Sequence, residues 1–186
     1  CNMIGVASGM AEYGYKVFLA SFASFLTGKY DVIRVSIGYS NAPVVLVGTH
    51  AGLAIGKDGV TQMGLEDISL MRGIPNMKVI QPSTPIEAMH ATRYLAEQKL
   101  DSPAYLRLGR QPVEEVFDEN YNFEFGKGVT IQSGTDITLI STGCILPEVI
   151  KASKEIEAKG ISCRIINIHT IKPLDREIIV KAAKET

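Results

Sequence analysis

Hydrophobic and polar positions along the chain alternate between the spacing of a helix and that of a buried strand, so the pattern is the first statement of fold. Residues 2–13 are small and apolar at close spacing and predict a tightly packed helix that Gly14 ends. Val17–Ala20 predicts a short strand, and a helix is expected within residues 23–37. The run Val44-Val45-Leu46-Val47, within Pro43 to Thr49, is aliphatic on both faces, as a central parallel strand requires. A loop carrying Gly48, Gly52, Gly56, Gly59 and Gly64 follows, then a short helix over 65–72 and a strand over 77–80. Thr84-Pro85-Ile86-Glu87 is a helix start: Thr84 caps, Pro85 sits where its missing N–H costs nothing, and Glu87 closes a capping box. Ala88, Ala91 and Leu95 give that helix an apolar face, and Ala104–Leu108 predicts another strand.

From Gly109 to Gly134 the periodicity fades. Glu114, Glu115, Asp118, Glu119 and Glu124 gather there, with Pro112 and several glycines between them. The expected organisation is a first domain over 1–112, a linker over 113–134 and a second domain over 135–186. The second opens with a strand over 136–141 and a helix over 145–159, striped by Ile145, Val149, Ala152 and Ile156 and capped by Gly160. A strand over 163–168 and a final helix with Asp175 as its N-cap complete it. Strands alternating with helices predict an α/β fold with a parallel sheet. One βαβ unit and a helix cannot cover both faces of a sheet, so the second α/β domain is expected to be truncated.

Composition narrows the classes. The 186 residues are 46% apolar and 21% charged, with a net charge of −1. A balance so near zero argues against a nucleic-acid or anionic-membrane partner read through bulk charge. No aliphatic run approaches the roughly 20 residues of a membrane span. Cys1, Cys144 and Cys163 have no framework spacing, which predicts reduced thiols serving as small core residues in a cytoplasmic protein.

Ligands of parallel sheets collect beyond the carboxyl ends of the strands. Two loops there carry polar chemistry: His50, Asp58, Thr61 and Gln62 after the strand over 43–49, and Arg107, Arg110 and Gln111 around the end of the strand over 104–108. Such a set suits a polar, anionic small molecule, since the arginine fork fits phosphate or carboxylate. The glycine spacing is not that of a dinucleotide fingerprint, and Gly56-Lys57-Asp58 is not a phosphate-binding Walker loop. His50, His90 and His169 lack metal-ligand spacing, and no metal ligand is expected in this chain.

Several segments, read together and in order, resemble the carboxyl-terminal half of transketolases, the thiamine-diphosphate-dependent sugar transferases. They are Cys1–Ala11, Ala20–Phe25, Thr49–Gly52, Gly56–Gln62, Leu65–Ile68, Met71–Met77, Leu108–Gln111 and Thr170–Asp175. The resemblance implies a pyrimidine-binding domain followed by the start of the third domain. It makes Phe22 and Phe25 the aromatic pair that seats the cofactor aminopyrimidine. His50 becomes a catalytic residue that also contacts the substrate at the sugar end, Asp58 the partner of a sugar hydroxyl, and Arg110 the grip on the sugar phosphate. Gln62, the second catalytic position, stands where these enzymes usually carry histidine; it can hydrogen-bond there but cannot shuttle a proton near neutral pH. Gly28 occupies the place of a third pocket aromatic. His90, His169, Arg34 and Arg107 receive no role.

The family's catalytic glutamate would fall immediately before Cys1, and its diphosphate and Mg²⁺ site belongs to an amino-terminal domain. The resemblance therefore implies that this chain is not active alone. It would join an amino-terminal domain or subunit, as a homodimer or heterotetramer, to transfer a two-carbon ketol unit between ketose and aldose phosphates. Within the same cofactor family, 1-deoxyxylulose-5-phosphate synthase typically has arginine in place of His50. The beta subunit of a 2-oxo-acid dehydrogenase lacks the Gly56–Gly59 loop. A non-catalytic subunit of the same fold and a generic α/β nucleotide-binding module are the remaining alternatives.

Overall fold

A computed structural model of the protein describes residues 1–186 and divides them into two compact units, 1–80 with 92–111, and 81–91 with 112–186. In chain order the elements of the first are α1 (Asn2–Glu12), β1 (Val17–Phe22), α2 (Ala23–Thr27), α3 (Tyr30–Ile33), β2 (Val44–Thr49), α4 (Asp67–Gly73) and β3 (Lys78–Ile80). Helix α5 (Pro85–Glu97) runs from the second unit into the first, and β4 (Ala104–Arg107) completes the first.

Strands β1, β2, β4 and β3 lie side by side in that order, and every pairing is parallel. The aliphatic run of β2 takes the interior place its pattern predicts: Val44, Val45 and Leu46 have no exposed surface. Helix α1 turns Ile4, Ala7 and Ala11 inward, the i, i+3, i+7 stripe of a helix with one buried face. The helix expected within 23–37 is instead two short helices, and α3 continues as a wider π-helical turn over Arg34–Tyr39. Strand β1 runs two residues beyond its expected end, which carries Phe22 to the strand's carboxyl terminus.

The second unit holds β5 (Val129–Gln132), β6 (Ile137–Ser141), α6 (Leu146–Glu157), β7 (Cys163–Asn167), β8 (Thr170–Lys172) and α7 (Arg176–Glu185). β7 is central in a three-stranded sheet, parallel to β6 and antiparallel to β5. β5 falls inside the stretch expected to be linker; its alternation, Val129 and Ile131 against Thr130 and Gln132, is too short to stand out between glycines and acidic residues. Leu146, Cys163 and Ile165 form the core beneath α6. Cys163 is thus the small core residue the sequence suggests, whereas Cys1, which precedes α1, is exposed. Asp175 caps α7 as expected, accepting from the Glu177 and Ile178 amides at 3.1 and 3.2 Å.

The capping box at α5 forms by half. Thr84 Oγ1 accepts from the Glu87 amide, but the Glu87 carboxylate accepts from the Ser83 amide at 2.6 Å instead of from that of Thr84. Its other oxygen accepts from the Tyr121 hydroxyl at 2.6 Å and from Asn167 at 2.9 Å. No helix is long and apolar enough to cross a membrane.

Two buried titratable groups in this unit act with opposite sign. Burial raises the Glu87 pKa above the usual carboxylate range, so this residue withdraws stability as pH rises through the raised value. Burial pulls the His169 pKa down to about 4, so the unfolded chain binds that proton first and stability falls as pH drops from 6.5 toward 4. The full His169 contribution is at most about 3 kcal/mol. His169→Gln, which cannot titrate, is expected to lose less melting temperature than the parent between about pH 7 and about pH 4.5, followed by circular dichroism. Equal losses would show that His169 does not take up its proton on unfolding.

Candidate functional site

Parallel strands end on one edge, and in the first unit the register sets three such ends together. Phe22 of β1 pairs with Thr49 of β2, and Gly48 of β2 with Arg107 of β4. Every expected site residue is on these strand ends or on the segments that leave them.

Phe22 closes β1 and Phe25 lies in the first turn of α2. Their rings stack 5.2 Å apart and 4° from parallel. The His50 ring stacks on Phe22 as well, with centroids 3.9 Å apart and 15° between planes. Phe25 remains 50% exposed, so the cluster offers a bare aromatic surface. Between the two phenylalanines in sequence, the buried Ser24 hydroxyl has no hydrogen-bond partner. Gly28, at the place of a third aromatic, ends α2 and is exposed.

His50 has φ 55°, in the left-handed region, a conformation that costs a non-glycine residue about 1 kcal/mol or more. Thr49 Oγ1 lies 3.3 Å from the Ser21 carbonyl and 3.0 Å from His50 Nδ1. The His50–Thr49 contact can run in either direction, because the hydroxyl can turn its hydrogen to Nδ1 or to the Ser21 carbonyl.

Beyond His50 the glycine-rich loop turns twice, through Gly56–Asp58 and Val60–Gln62. The second turn packs against α2, which brings Gln62 to the helix that carries Phe25. The Gln62 side chain is half-buried and accepts from the Thr61 hydroxyl. Asp58 is exposed, its carboxylate unpaired within the chain. Arg110 Nη1 donates to the Ile55 carbonyl at 2.9 Å and leans on Gly56, leaving the rest of its fork exposed. The three rings thus form one cluster, Asp58 and Gln62 stand on the two turns of the loop beyond it, and Arg110 lies against that loop. His90 and His169 belong to the second unit, where His90 meets the edge of the Tyr121 ring. No three His, Cys, Asp or Glu side chains gather as a metal site would require.

The residues that hold this loop escape a sequence reading. Asp67, in the first turn of α4, is fully buried. It accepts from the Tyr105 hydroxyl at 2.7 Å and from Arg107 through Nε at 2.7 Å and Nη2 at 3.2 Å. Burial and then the Asp67 charge push the Tyr105 pKa far up, so the phenol stays a donor. Gly48 makes room for it, because a Cβ there would overlap the Tyr105 hydroxyl. Arg107 Nη2 also reaches the Gly64 carbonyl at 3.3 Å, which accepts from the Gly52 amide at 2.9 Å as well. The available signal was an arginine ending a strand whose preceding residues are buried, since such a charge needs a carboxylate near it.

Two family models match the chain: that of the transketolase pyrimidine-binding domain over residues 1–115, and that of the transketolase C-terminal domain over residues 126–186. A provisionally named transketolase C-terminal section of Methanocaldococcus jannaschii is 41% identical over 97% of this chain and 58% of its own length. The 6-deoxy-6-sulfo-D-fructose transketolase subunit SqwH of a Clostridium species is 35% identical over 100% of this chain and 57% of its own. Among solved structures, a split-gene transketolase described as an inactive beta4 tetramer superposes with a TM-score of 0.91 at 36% identity, over 100% of this chain and 59% of that one. The chain spans somewhat more than half the length of these relatives.

Removing one member of a buried ion pair strands the other charge and typically costs about 3–5 kcal/mol. Asp67→Ala is therefore expected to lower unfolding free energy by about that amount in urea titrations. A loss within the range of an ordinary surface substitution would show that Arg107 finds another partner or water.

Proposed function

Because the chain belongs to the transketolase family, we propose that it supplies the aminopyrimidine seat and the sugar-binding rim of a two-carbon ketol transferase. An amino-terminal section, as a separate subunit or as part of one longer polypeptide, completes that enzyme in a homodimer or heterotetramer. The observation that carries this reading is the cluster of near-parallel rings, Phe22, Phe25 and His50, left half-bare at the carboxyl ends of the strands. An exposed aromatic face suits a flat heteroaromatic ring, and the unpartnered Ser24 hydroxyl is a polar group such a ligand could satisfy. These residues fit the aminopyrimidine of thiamine diphosphate.

The cofactor, when bound, supplies the carbon nucleophile that the side chains of this protein lack. Phe22 and Phe25 hold its ring and exclude water, which strengthens each polar contact made nearby. His50 Nε2 accepts a proton or a hydrogen bond from a sugar hydroxyl, and Asp58 accepts from another. Arg110 has spare donors for the anionic end of the sugar. A relative named for a 6-deoxy-6-sulfo sugar extends the reading for that end from phosphate to a tetrahedral oxyanion in general. Gln62 orients by hydrogen bonds alone, which leaves proton transfer at this rim to His50. Mg²⁺ and the diphosphate fall to the amino-terminal section, and the assembly works in the cytoplasm. Gln62 and the relative described as inactive favour a second reading, a subunit that keeps the fold and assembles without turning over sugar.

The test is reconstitution with the amino-terminal section, followed by a coupled assay with xylulose 5-phosphate and ribose 5-phosphate. Turnover that requires thiamine diphosphate is expected, and Phe25→Ala should weaken cofactor binding by roughly tenfold in calorimetry. Cofactor binding without turnover of any ketose phosphate or sulfonate would select the second reading. Assembly without cofactor binding would likewise select the second reading, and failure to assemble with the amino-terminal section would end both.

A further inference from the structure

The ends of the loop between Gly52 and Gly64 meet in a parallel bridge of Ala51 with Gly64, and the Gly64 carbonyl is its most heavily used atom. The Gly64 carbonyl accepts from the Gly52 amide at 2.9 Å and from Arg107 Nη2 at 3.3 Å, so both lone pairs of that oxygen are engaged. Gly64 is also pressed onto α2: a Cβ there would lie 2.6 Å from Ala23 Cβ and 3.2 Å from the Ser24 amide nitrogen. The loop's entry, its exit and the helix of Phe25 thus meet where one guanidinium points. That guanidinium is fixed in turn by Asp67, through Nε and Nη2. A buried ion pair adds little net stability compared with apolar packing, so its value here is geometric.

We infer that Arg107 is a positioning residue. Through the Gly64 carbonyl it sets where the loop residues Asp58 and Gln62 stand relative to the Phe22 and Phe25 rings. Sugar affinity then depends on it more than cofactor binding or turnover does. The inference rests on the proposed function for its catalytic consequence, but the clasp itself is a property of this chain alone. Arginine is required because only a planar fork with several donors can serve a carboxylate and a carbonyl at once; lysine is a point donor on a flexible stem.

The experiment is Arg107→Lys in the complete two-section assembly, with four readouts. We expect the KM for the ketose to rise by roughly tenfold with kcat within about threefold and the thiamine diphosphate Kd within about twofold. Hydrogen exchange should quicken by roughly tenfold over the segment 50–65, while β2 and β4 keep their protection. If the lysine variant does not fold, the neutral pair Asp67→Asn with Arg107→Gln removes the clasp without stranding a charge, and the same pattern is expected. An unchanged KM together with unchanged exchange over 50–65 would overturn the inference. So would a joint loss of cofactor affinity, kcat and strand protection, which marks plain damage to the fold. Should the parent assembly turn over no sugar, the proposed function fails, and exchange over 50–65 still decides the clasp.

Discussion

A carboxylate with no exposed surface sets most of what surrounds it. Moving Asp67 out of water costs several kcal/mol unless donors replace the lost hydration. Tyr105 and Arg107 provide three bonds to it, and the first turn of α4 adds the favourable end of the helix dipole. Each donor brings its own requirement. The Tyr105 hydroxyl must cross the neighbouring strand, which forbids a side chain at Gly48. The guanidinium must end β4 in register with that same glycine, as it does. Once placed, it turns a further N–H, on Nη2, toward the Gly64 carbonyl of the loop. The glycine-rich segment is thereby given one shape, although its own composition favours many.

The edge above this network shows the opposite economy. A left-handed histidine, a half-bare phenylalanine and a hydroxyl without a partner all cost free energy in the chain by itself. Departures of this kind, concentrated on one strand edge and supported by a satisfied polar network underneath, are what a binding surface demands of a fold. On the proposed function, the cofactor ring and the complementary polypeptide section offset these costs when they cover the rings.

Much of the architecture was legible because its signals are local. The aliphatic β2, the small-residue α1 and the Asp175 cap each announce themselves within a few residues. β5 was not legible, since four alternating residues without a strong hydrophobic run become a strand only when β7 pairs with them. The place of each resemblance-derived site residue on a strand end or its loop was readable from motif order. What those residues touch was not: the Phe22 and His50 stack depends on a backbone turn at His50 that pattern does not encode. Asp67, Tyr105 and Arg107 were missed for a related reason. They stand in different elements, far apart in sequence, and only the sheet register makes them neighbours.

On the proposed function, that register also bears on how a rim carrying Gln62 could handle protons. Of the side chains at this rim, imidazole alone offers a nitrogen that can serve as a base. It is useful as a base only with its lone pair facing the ligand. From below, Thr49 Oγ1 lies 3.0 Å from His50 Nδ1 and 3.3 Å from the Ser21 carbonyl, so one hydroxyl ties the imidazole to both strands. Ser21 and Thr49 are brought together by the pairing of β1 with β2. The imidazole is therefore held by the same parallel ladder that seats the aromatic pair.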